Sequence, residues 1–273
     1  MACVACIIAR TNSVRLPKKV LKEVFNRSMI EHQIDRLKLC KHIDKIYICT
    51  STTNEDYALK SIAESNAVEF YAGSEDSIID RMLDVAAIEG ADTLLRITGD
   101  NIFTDSVYTD MMIGHHYSQN ADYTRTEFLP LGVTSEIISV NALARVYEFI
   151  PRNETQYLMV YLFQPQLFAC NVLIPPLTHQ HKDWSLTVDT PEDWERTKLI
   201  FDKVGKQTFC YEDILSLDDV SHLPYLNYKN SEMVKMPANL NLYFDSFRLE
   251  MDNRVNDANK IEVLRNGFEI EGK

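Results

Sequence analysis

Basic residues cluster directly after the first apolar run of the chain, residues 4–9. The stretch that follows contains five cations: Arg10, Arg15, Lys18, Lys19 and Lys22. They stand out because the chain has 40 acidic and 28 basic residues, a formal net charge of −12. Cations held at the end of a first strand are typical of a site for a small anionic ligand. The alternative interpretation is a solvated loop without a ligand.

Small polar residues between the first two cations favour the ligand-binding interpretation. Residues 11–13 (TNS) lie between Arg10 and Arg15, so backbone amides would be available beside fixed positive charge, an arrangement that suits phosphate oxygens. Pro17 stiffens the end of the loop and gives Lys19 a defined direction. The stretch lacks the G-x-x-x-x-G-K-[ST] pattern, so it predicts a phosphate-binding loop that is not a Walker loop.

Two aspartates form a second group of interest. Asp100 follows a predicted strand at 93–97, and Asp189 follows a predicted strand at 184–188; a helix start comes after each. An aspartate in such a place often serves only as a turn or cap residue. Two carboxylates on the sheet edge that also carries a cationic loop match the way proteins hold magnesium together with substrate phosphates. The combination therefore predicts a magnesium site.

The elements that would position these residues alternate along the chain up to residue 100. Hydrophobic periodicity predicts strands at 4–9, 45–51, 68–71 and 93–97, and helices at 29–41 and 54–66. A third helix is predicted to follow the turn at 73–74 and to end at about residue 89. This order predicts an α/β fold with a mainly parallel sheet, helices on both faces, and ligands beyond the carboxyl ends of the strands.

The alternation breaks after residue 100. A helix over 104–119 precedes two strands, 122–127 and 133–139, which predict a small antiparallel insertion. Helices over 142–150 and 154–163, a strand over 168–174 and a helix starting at Thr190 follow. We interpret residues 1–205 as one domain and 206–273 as an extension that packs on the core or on another subunit, with helical segments at 211–217 and 242–264.

Composition excludes several function classes. The acidic excess disfavours sequence-independent nucleic-acid binding, which depends on phosphate neutralisation. No apolar run approaches the roughly 20 residues of a spanning helix, and no signal peptide is apparent, so we expect a cytoplasmic protein that does not enter a membrane.

The six cysteines are scattered, which predicts buried, reduced thiols despite the C-x-x-C spacing of Cys3 and Cys6. His115 and His116 have no third metal ligand at workable spacing and are predicted to lie on the surface.

Several motifs together resemble one enzyme family. The run from Ile7 to Leu21, IIARTNSVRLPKKVL, is similar to the A-R-x-x-S-x-R-L-P-x-K-x-L opening of cytidylyltransferases of the spore-coat polysaccharide biosynthesis F type. These are related to the enzymes that activate sialic acids and 3-deoxy-manno-octulosonate. The likeness continues through 73–76 (GSED), 80–81 (DR), 96–100 (RITGD) and 187–193 (TVDTPED), and it covers about residues 4–205 in the right order.

The resemblance implies a glycosyltransferase-A-like three-layer fold and transfer of CMP from CTP to an acceptor, with release of pyrophosphate. It implies that Arg10, Arg15 and Lys19 hold the triphosphate, with Arg10, Lys19 and Asp100 as the catalytic residues, and that Asp100 and Asp189 bind Mg²⁺. Ser74 and Arg81 would border the nucleotide, and Thr50 and Ser51 are candidates for lining the cytosine pocket. The resemblance and the apolar residues of the tail are also consistent with a homodimer.

The chain departs from the family pattern at several positions. Asn12 and Lys18 stand where glycines are usual, and we expect Asn12 to preserve the loop because asparagine tolerates left-handed backbone geometry. Residues 101–103 (NIF) replace Cys-Pro-Leu, and 156–157 (QY) replace Glu-His. These changes leave the CTP half intact and alter the acceptor half.

The acceptor therefore stays open at this point. Four residues are acceptor-side candidates: Arg125, Glu136, Tyr157 and His181. The first hypothesis is a small acidic sugar or related acidic metabolite used for surface glycans. The alternatives are a phosphonate or phosphorylated small molecule as acceptor, and a non-catalytic protein that binds a nucleotide sugar. The retained Lys19, Asp100 and Asp189 argue against the non-catalytic protein.

Overall fold

The computed structural model describes residues 2–151, 158–227, 244–263 and 270–271. The strands are β1 Cys3–Ile8, β2 Glu23–Val24, β3 Arg27–Ser28, β4 Lys45–Ser51, β5 Glu69–Gly73, β6 Thr93–Thr98, β7 Tyr123–Thr126, β8 Glu136–Ser139, β9 Cys170–Ile174, β10 Asn259–Val263 and β11 Ile270–Glu271. The α-helices are α1 Met29–Leu37, α2 Ala58–Ser65, α3 Ile78–Glu89, α4 Ser106–Ser118, α5 Val140–Arg145, α6 Leu158–Leu162, α7 Pro191–Val204, α8 Tyr211–Leu215 and α9 Phe244–Asp257. Short 3₁₀ helices span Lys19–Leu21, Val146–Glu148, Leu177–His179 and Val220–His222.

One central sheet organises the described part of the chain. Its strand order is β11-β10-β9-β7-β8-β6-β1-β4-β5, and β1 runs parallel to both β4 and β6. Alternate residues of β1 enter two different cores, as the two-residue period of a strand requires. Val4 and Cys6 pack with α3, whereas Ala5 and Ile7 pack with α1. This confirms the predicted α/β fold with helices on both faces.

The predicted antiparallel pairing forms inside the main sheet. Strand β8 runs antiparallel to both β6 and β7, with Leu94 opposite Ile138 and Tyr123 opposite the same residue on its other side. Strand β7 then pairs in parallel with β9. β2 and β3 form a separate antiparallel pair just before α1. Strand β8 therefore runs in the reverse direction between two groups of strands. The parallel strands β4, β1 and β6 lie on one side of it, and β7 and β9 lie on the other.

The prediction of a sheet strand over residues 184–188 is wrong. This segment makes only isolated bridges in the described structure, Leu131 with Ser185 and Trp184 with Asn227. Leu186 and Val188 are nevertheless fully buried, in the same apolar cluster as Trp194 of α7. The alternating pattern therefore reflects burial of an extended segment and does not reflect a ladder of strand hydrogen bonds.

The helix predicted over 242–264 is also partly wrong. Helix α9 ends at Asp257, and residues 259–263 form β10, which pairs in parallel with β9. Met251 and Val255 of α9 enter the apolar cluster that includes α3 and β9. The segment after residue 205 thus contributes a helix to the core and a strand to the central sheet.

Buried thiols and histidines complete the core. The cysteines are all free; the predicted burial is confirmed for five of them, whereas Cys210 is partly exposed. The surface prediction for His115 and His116 is wrong, since each is 2% exposed. His116 bonds through Nδ1 to Thr124 Oγ1 at 3.0 Å, and burial lowers its pKa to about 4.

No helix in the described ranges is long and apolar enough to cross a membrane.

Candidate active site

The basic loop leaves the carboxyl end of β1 and folds back on itself. The backbone N–H groups of Ser13 and Lys18 both donate to the Thr11 carbonyl, at 3.1 and 3.2 Å. Lys18 has a φ of 52°, in the left-handed region, whereas Asn12 does not have a positive φ. The residue of the loop in the left-handed region is therefore Lys18, at the second of the two positions where the family usually has glycine, and not Asn12.

A buried carboxylate fixes the start of the loop. Asp56 is 1% exposed, and its Oδ1 accepts from the Thr11 N–H at 2.7 Å and from the Thr11 hydroxyl at 2.8 Å. Its Oδ2 accepts from the Ser51 hydroxyl at 2.5 Å. Burial raises the pKa of Asp56, but the hydrogen bonds from Ser51 and Thr11 outweigh burial and hold the pKa below its usual value. Asp56 thus joins the basic loop to the end of β4.

Lys19 lies between the two aspartates that the sequence singled out. Its Nζ donates to Asp189 Oδ1 at 2.8 Å, to the Val188 carbonyl at 3.0 Å and to Asp100 Oδ2 at 3.4 Å. Arg15 adds an ion pair from its terminal nitrogen to Asp189 Oδ1 at 3.1 Å. Burial raises the pKa of Asp189, but the Lys19 and Arg15 cations outweigh it, so the pKa lies below its usual value. The structure therefore brings Arg15, Lys19, Asp100 and Asp189 together.

Backbone contacts place the two aspartates side by side. The Gly99 N–H donates to the Ile8 carbonyl at 2.9 Å, which sets Asp100 beside the end of β1. A Cβ at Gly99 would lie 3.1 Å from side-chain carbons of Ala9 and Val20, so the close approach favours glycine. The Val188 N–H donates to the Asp100 carbonyl at 3.0 Å. This bond holds Asp189 beside Asp100, although residues 184–188 are not a strand of the sheet.

The two aspartates are suitable ligands for magnesium. The described residues contain no group of three or more His, Cys, Asp or Glu side chains that could hold a metal ion. Asp100 Oδ1 is buried and accepts no hydrogen bond within the described structure, so one hard oxygen donor is left without a partner. Carboxylates in small number, completed by water and substrate phosphates, are the usual protein ligands of Mg²⁺. The donor set therefore fits this ion.

The other predicted nucleotide residues lie around the ends of β4 and β5. Arg10 donates to the Glu75 carbonyl, and the Ser74 hydroxyl accepts from the Ser77 N–H at 3.0 Å. Arg81 is fully buried, donates to the Cys49 carbonyl at 3.4 Å and leaves its Nε without a partner. Burial and the nearby Arg10 lower the pKa of Arg81. The described structure thus links Arg10 directly to the 73–76 turn.

The two candidates for the cytosine pocket, Thr50 and Ser51, are the last two residues of β4. Thr50 is fully buried and Ser51 is 1% exposed at the end of β4. The Ser51 hydroxyl is already engaged with Asp56. In this arrangement Ser51 supports the basic loop through that carboxylate.

Two clefts meet at Asp100. One, of about 250 Å³, is lined by residues of the basic loop, including Arg10 and Lys19, together with the end of β6. The other, of about 390 Å³, lies on the far side of Asp100 and is also lined by Asp189. Thr98 and Asp100 line both. The two clefts therefore share Thr98 and Asp100 as a common wall.

The second cleft contains two of the acceptor-side candidates. Arg125 and Glu136 both line it, and Glu136 accepts from Arg96 and from the Tyr123 hydroxyl. His181 is stacked on Trp184, with ring centroids 3.8 Å apart, and is not among the lining residues. The candidate Tyr157 and its neighbour Gln156 lie outside the described residues.

Comparison with known proteins assigns the family. Residues 4–158 match the family described as cytidylyltransferase. The chain belongs to the cytidylyltransferase family. This cytidylyltransferase is 31% identical over 209 residues to the spore coat polysaccharide biosynthesis protein SpsF of Bacillus subtilis, covering 74% of this chain and 87% of that protein. It is also 31% identical over 242 residues to the uncharacterized protein MJ1063 of Methanocaldococcus jannaschii, covering 88% of this chain and 96% of that protein.

A solved structure supports the same assignment. A cytidylyltransferase from Leptospira borgpetersenii is similar to this chain with a TM-score of 0.75 and 25% identity. The similarity covers 85% of this chain and 99% of the other. The overall fold of this cytidylyltransferase is therefore that of a known nucleotidyl-transferring enzyme.

Sequence reasoning missed one residue of the site. The helix predicted over 54–66 would place Asp56 in its first turn, but α2 begins at Ala58, and the Asp56 carboxylate contacts the basic loop instead. A carboxylate shortly after a strand that ends in Thr50 and Ser51 was the available signal, because such hydroxyls are natural donors to it.

Proposed function

We propose that this protein is a cytoplasmic, Mg²⁺-dependent cytidylyltransferase that transfers CMP from CTP to an acidic sugar and releases pyrophosphate, for surface glycan synthesis. One observation carries the proposal: Lys19 and two carboxylates lie where two clefts meet. Nucleotidyl transfer requires charge neutralisation on the phosphates and alignment of an attacking oxygen, and this arrangement offers both.

The basic loop supplies the cations of the nucleotide half. Arg10 and Lys19 line the first cleft, and Arg15 pairs with Asp189, which Lys19 also contacts. These side chains would bind the triphosphate and stabilise the negative charge that develops on the leaving pyrophosphate. Asp56 would hold the loop in position through its two hydrogen bonds from Thr11.

Asp100 and Asp189 would hold the magnesium ion, through carboxylate oxygens that include the unpartnered Oδ1 of Asp100. The ion would supply charge neutralisation on the phosphate oxygens of the bound nucleotide. The role of these two side chains is to fix that charge at the boundary between the clefts.

The second cleft would bind the acceptor. Its cationic lining residues are Arg96, Arg125 and Lys182, of which Arg96 pairs with Glu136 and Arg125 with Glu127. An anionic acceptor would compete with these carboxylates for the two arginines, and Glu136 would accept from its hydroxyl groups. An acid sugar carries both an anionic group and hydroxyls, and the similarity to a protein named for polysaccharide biosynthesis supports this class. The same cations would also hold a phosphonate or phosphorylated acceptor, which is the second candidate.

A pyrophosphate-release assay tests the proposal. Each of the four ribonucleoside triphosphates is combined with a panel of ulosonic acids and phosphonates, and Mg²⁺ is present or replaced by EDTA. We expect release with CTP, an ulosonic acid and Mg²⁺ together, and no release from Asp100→Asn. Release only with a phosphonate would favour the second candidate. A panel without release from any triphosphate would refute transfer and favour a non-catalytic binding protein.

A further inference from the structure

The charges at the junction of the clefts cancel. Asp100 and Asp189 contribute two negative charges, and Lys19 and Arg15 contribute two positive charges within 3.4 Å of them. A divalent cation approaching this group meets a neutral cluster, although its two would-be ligands are anions. The electrostatic attraction that ordinarily drives metal binding is therefore largely offset by the protein's own cations.

The hydrogen bonds of Lys19 are already complete. An ammonium group has three N–H donors, and the Lys19 ammonium has acceptors on Asp189, Val188 and Asp100. Its side chain is only 13% exposed. A phosphate oxygen can gain a hydrogen bond from Lys19 only in exchange for one of these three. Binding of a phosphate oxygen by Lys19 therefore breaks one of its three contacts, and two of the three are with the aspartates.

One carboxylate oxygen is nevertheless prepared for another ligand. Asp100 Oδ1 is buried, faces no donor in the described structure and lies on the same carboxylate whose Oδ2 contacts Lys19. A buried acceptor without a partner is unfavourable, so this oxygen favours the arrival of a cation.

We propose that Lys19 and Arg15 act as internal counter-ions of the metal ligands, so that the aspartates bind a divalent cation only together with an anionic triphosphate. This inference rests on the proposed function. The triphosphate draws the two cations toward its oxygens, and the two aspartates are then left with a net negative charge for the metal. Because coupling between two ligands is reciprocal, the metal strengthens triphosphate binding by the same factor.

The test measures Mn²⁺ binding to the free protein, without nucleotide, from the EPR signal of unbound Mn²⁺. We expect weak binding to the wild type and an association constant at least about tenfold higher for Lys19→Met, since charge-assisted contacts of this kind are the stronger ones. Arg15→Met, at a side chain that is 53% exposed, gives a smaller gain in the same direction. It keeps the test informative if Lys19→Met does not fold.

Lys18→Met is the matched control, because it removes the same charge from the neighbouring, exposed position. We expect Lys18→Met to leave Mn²⁺ affinity unchanged, and Asp100→Asn combined with Lys19→Met to abolish the gain. The inference is overturned if the free wild type binds Mn²⁺ as tightly as Lys19→Met, if Lys18→Met gains as much, or if the gain survives Asp100→Asn. Tight Mn²⁺ binding by a free wild-type protein that still releases pyrophosphate from CTP would refute only the counter-ion role.

Discussion

Asp56→Asn should weaken both the fold and nucleotide binding, although Asp56 touches no ligand in the proposed mechanism. The carboxylate accepts three hydrogen bonds, two from Thr11 and one from Ser51, in a position that is 1% exposed. Bonds to a charged acceptor contribute about 1 kcal/mol more than neutral ones. Because asparagine retains the shape and one oxygen, the loss is roughly 2–3 kcal/mol of unfolding free energy at neutral pH.

The pH dependence of that loss follows from the direction of the pKa shift. The pKa of Asp56 is lower in the folded protein than in the unfolded chain. Its contribution is therefore fully present above the unfolded value of about 3.9 and is lost as the pH falls through the folded value. The difference in stability between wild type and Asp56→Asn should be constant from pH 7 to pH 5 and should shrink below pH 4.

Urea unfolding followed by tryptophan fluorescence at several pH values measures this difference. Glu55→Gln is the control, since it removes an exposed carboxylate from the neighbouring position. In the pyrophosphate-release assay the loosened loop should raise the KM for CTP more than it lowers kcat. The reasoning is refuted if Asp56→Asn is as stable as Glu55→Gln at pH 7, or if its deficit persists unchanged at pH 3.

Three further predictions concern the same region. Asp189→Asn should abolish turnover while changing the unfolding free energy by less than about 1 kcal/mol, because its ion pairs are partly exposed; retained activity would show that the carboxylate does not serve the reaction. Gly99→Ala should lower the free energy of unfolding by about 1–3 kcal/mol, because the added methyl group would be overpacked. Gly114→Ala lies on an open helix face and should raise the free energy of unfolding by roughly 0.5–1 kcal/mol. Urea midpoints that move in the same direction for both variants would contradict this prediction. Lys18→Gly should raise stability by up to about 1 kcal/mol, because it relieves a left-handed φ at a lysine; a lower midpoint would count against that strain.

The parallel half of the sheet was predictable because its information is local. The apolar periods of β1, β4, β5 and β6 and of the helices between them lie within single segments, and each parallel strand is followed by its own helix. The same reasoning failed at 184–188, since burial of Leu186 and Val188 gives a strand-like pattern without strand pairing. It failed at 259–263 because the partner strand β9 lies far back in the sequence.

The candidate site was predictable in its residue types and only partly in its contacts. The four charged side chains of the site meet as the sequence predicts, namely Arg15, Lys19, Asp100 and Asp189. The reason holds for Asp100, which follows β6, but not for Asp189, because residues 184–188 are not a strand of the sheet. The position of Asp189 depends on a backbone bond between Val188 and Asp100, which no periodicity reveals. The part played by Asp56 depends on a tertiary contact with Thr11 that local sequence does not encode.

Strand β10 lies near the end of the sequence, and this position affects how the chain folds while it is being synthesised. The hydrogen-bonding edge of β9 that β10 covers stays open until the ribosome has released residues 259–263. Val172 and Leu173 of this strand are fully buried once the protein is complete, so the open edge is apolar as well as unpaired. A nascent or truncated chain that ends before Asn259 should therefore be prone to aggregate and should need a chaperone, even though it already carries every residue of the proposed nucleotide site.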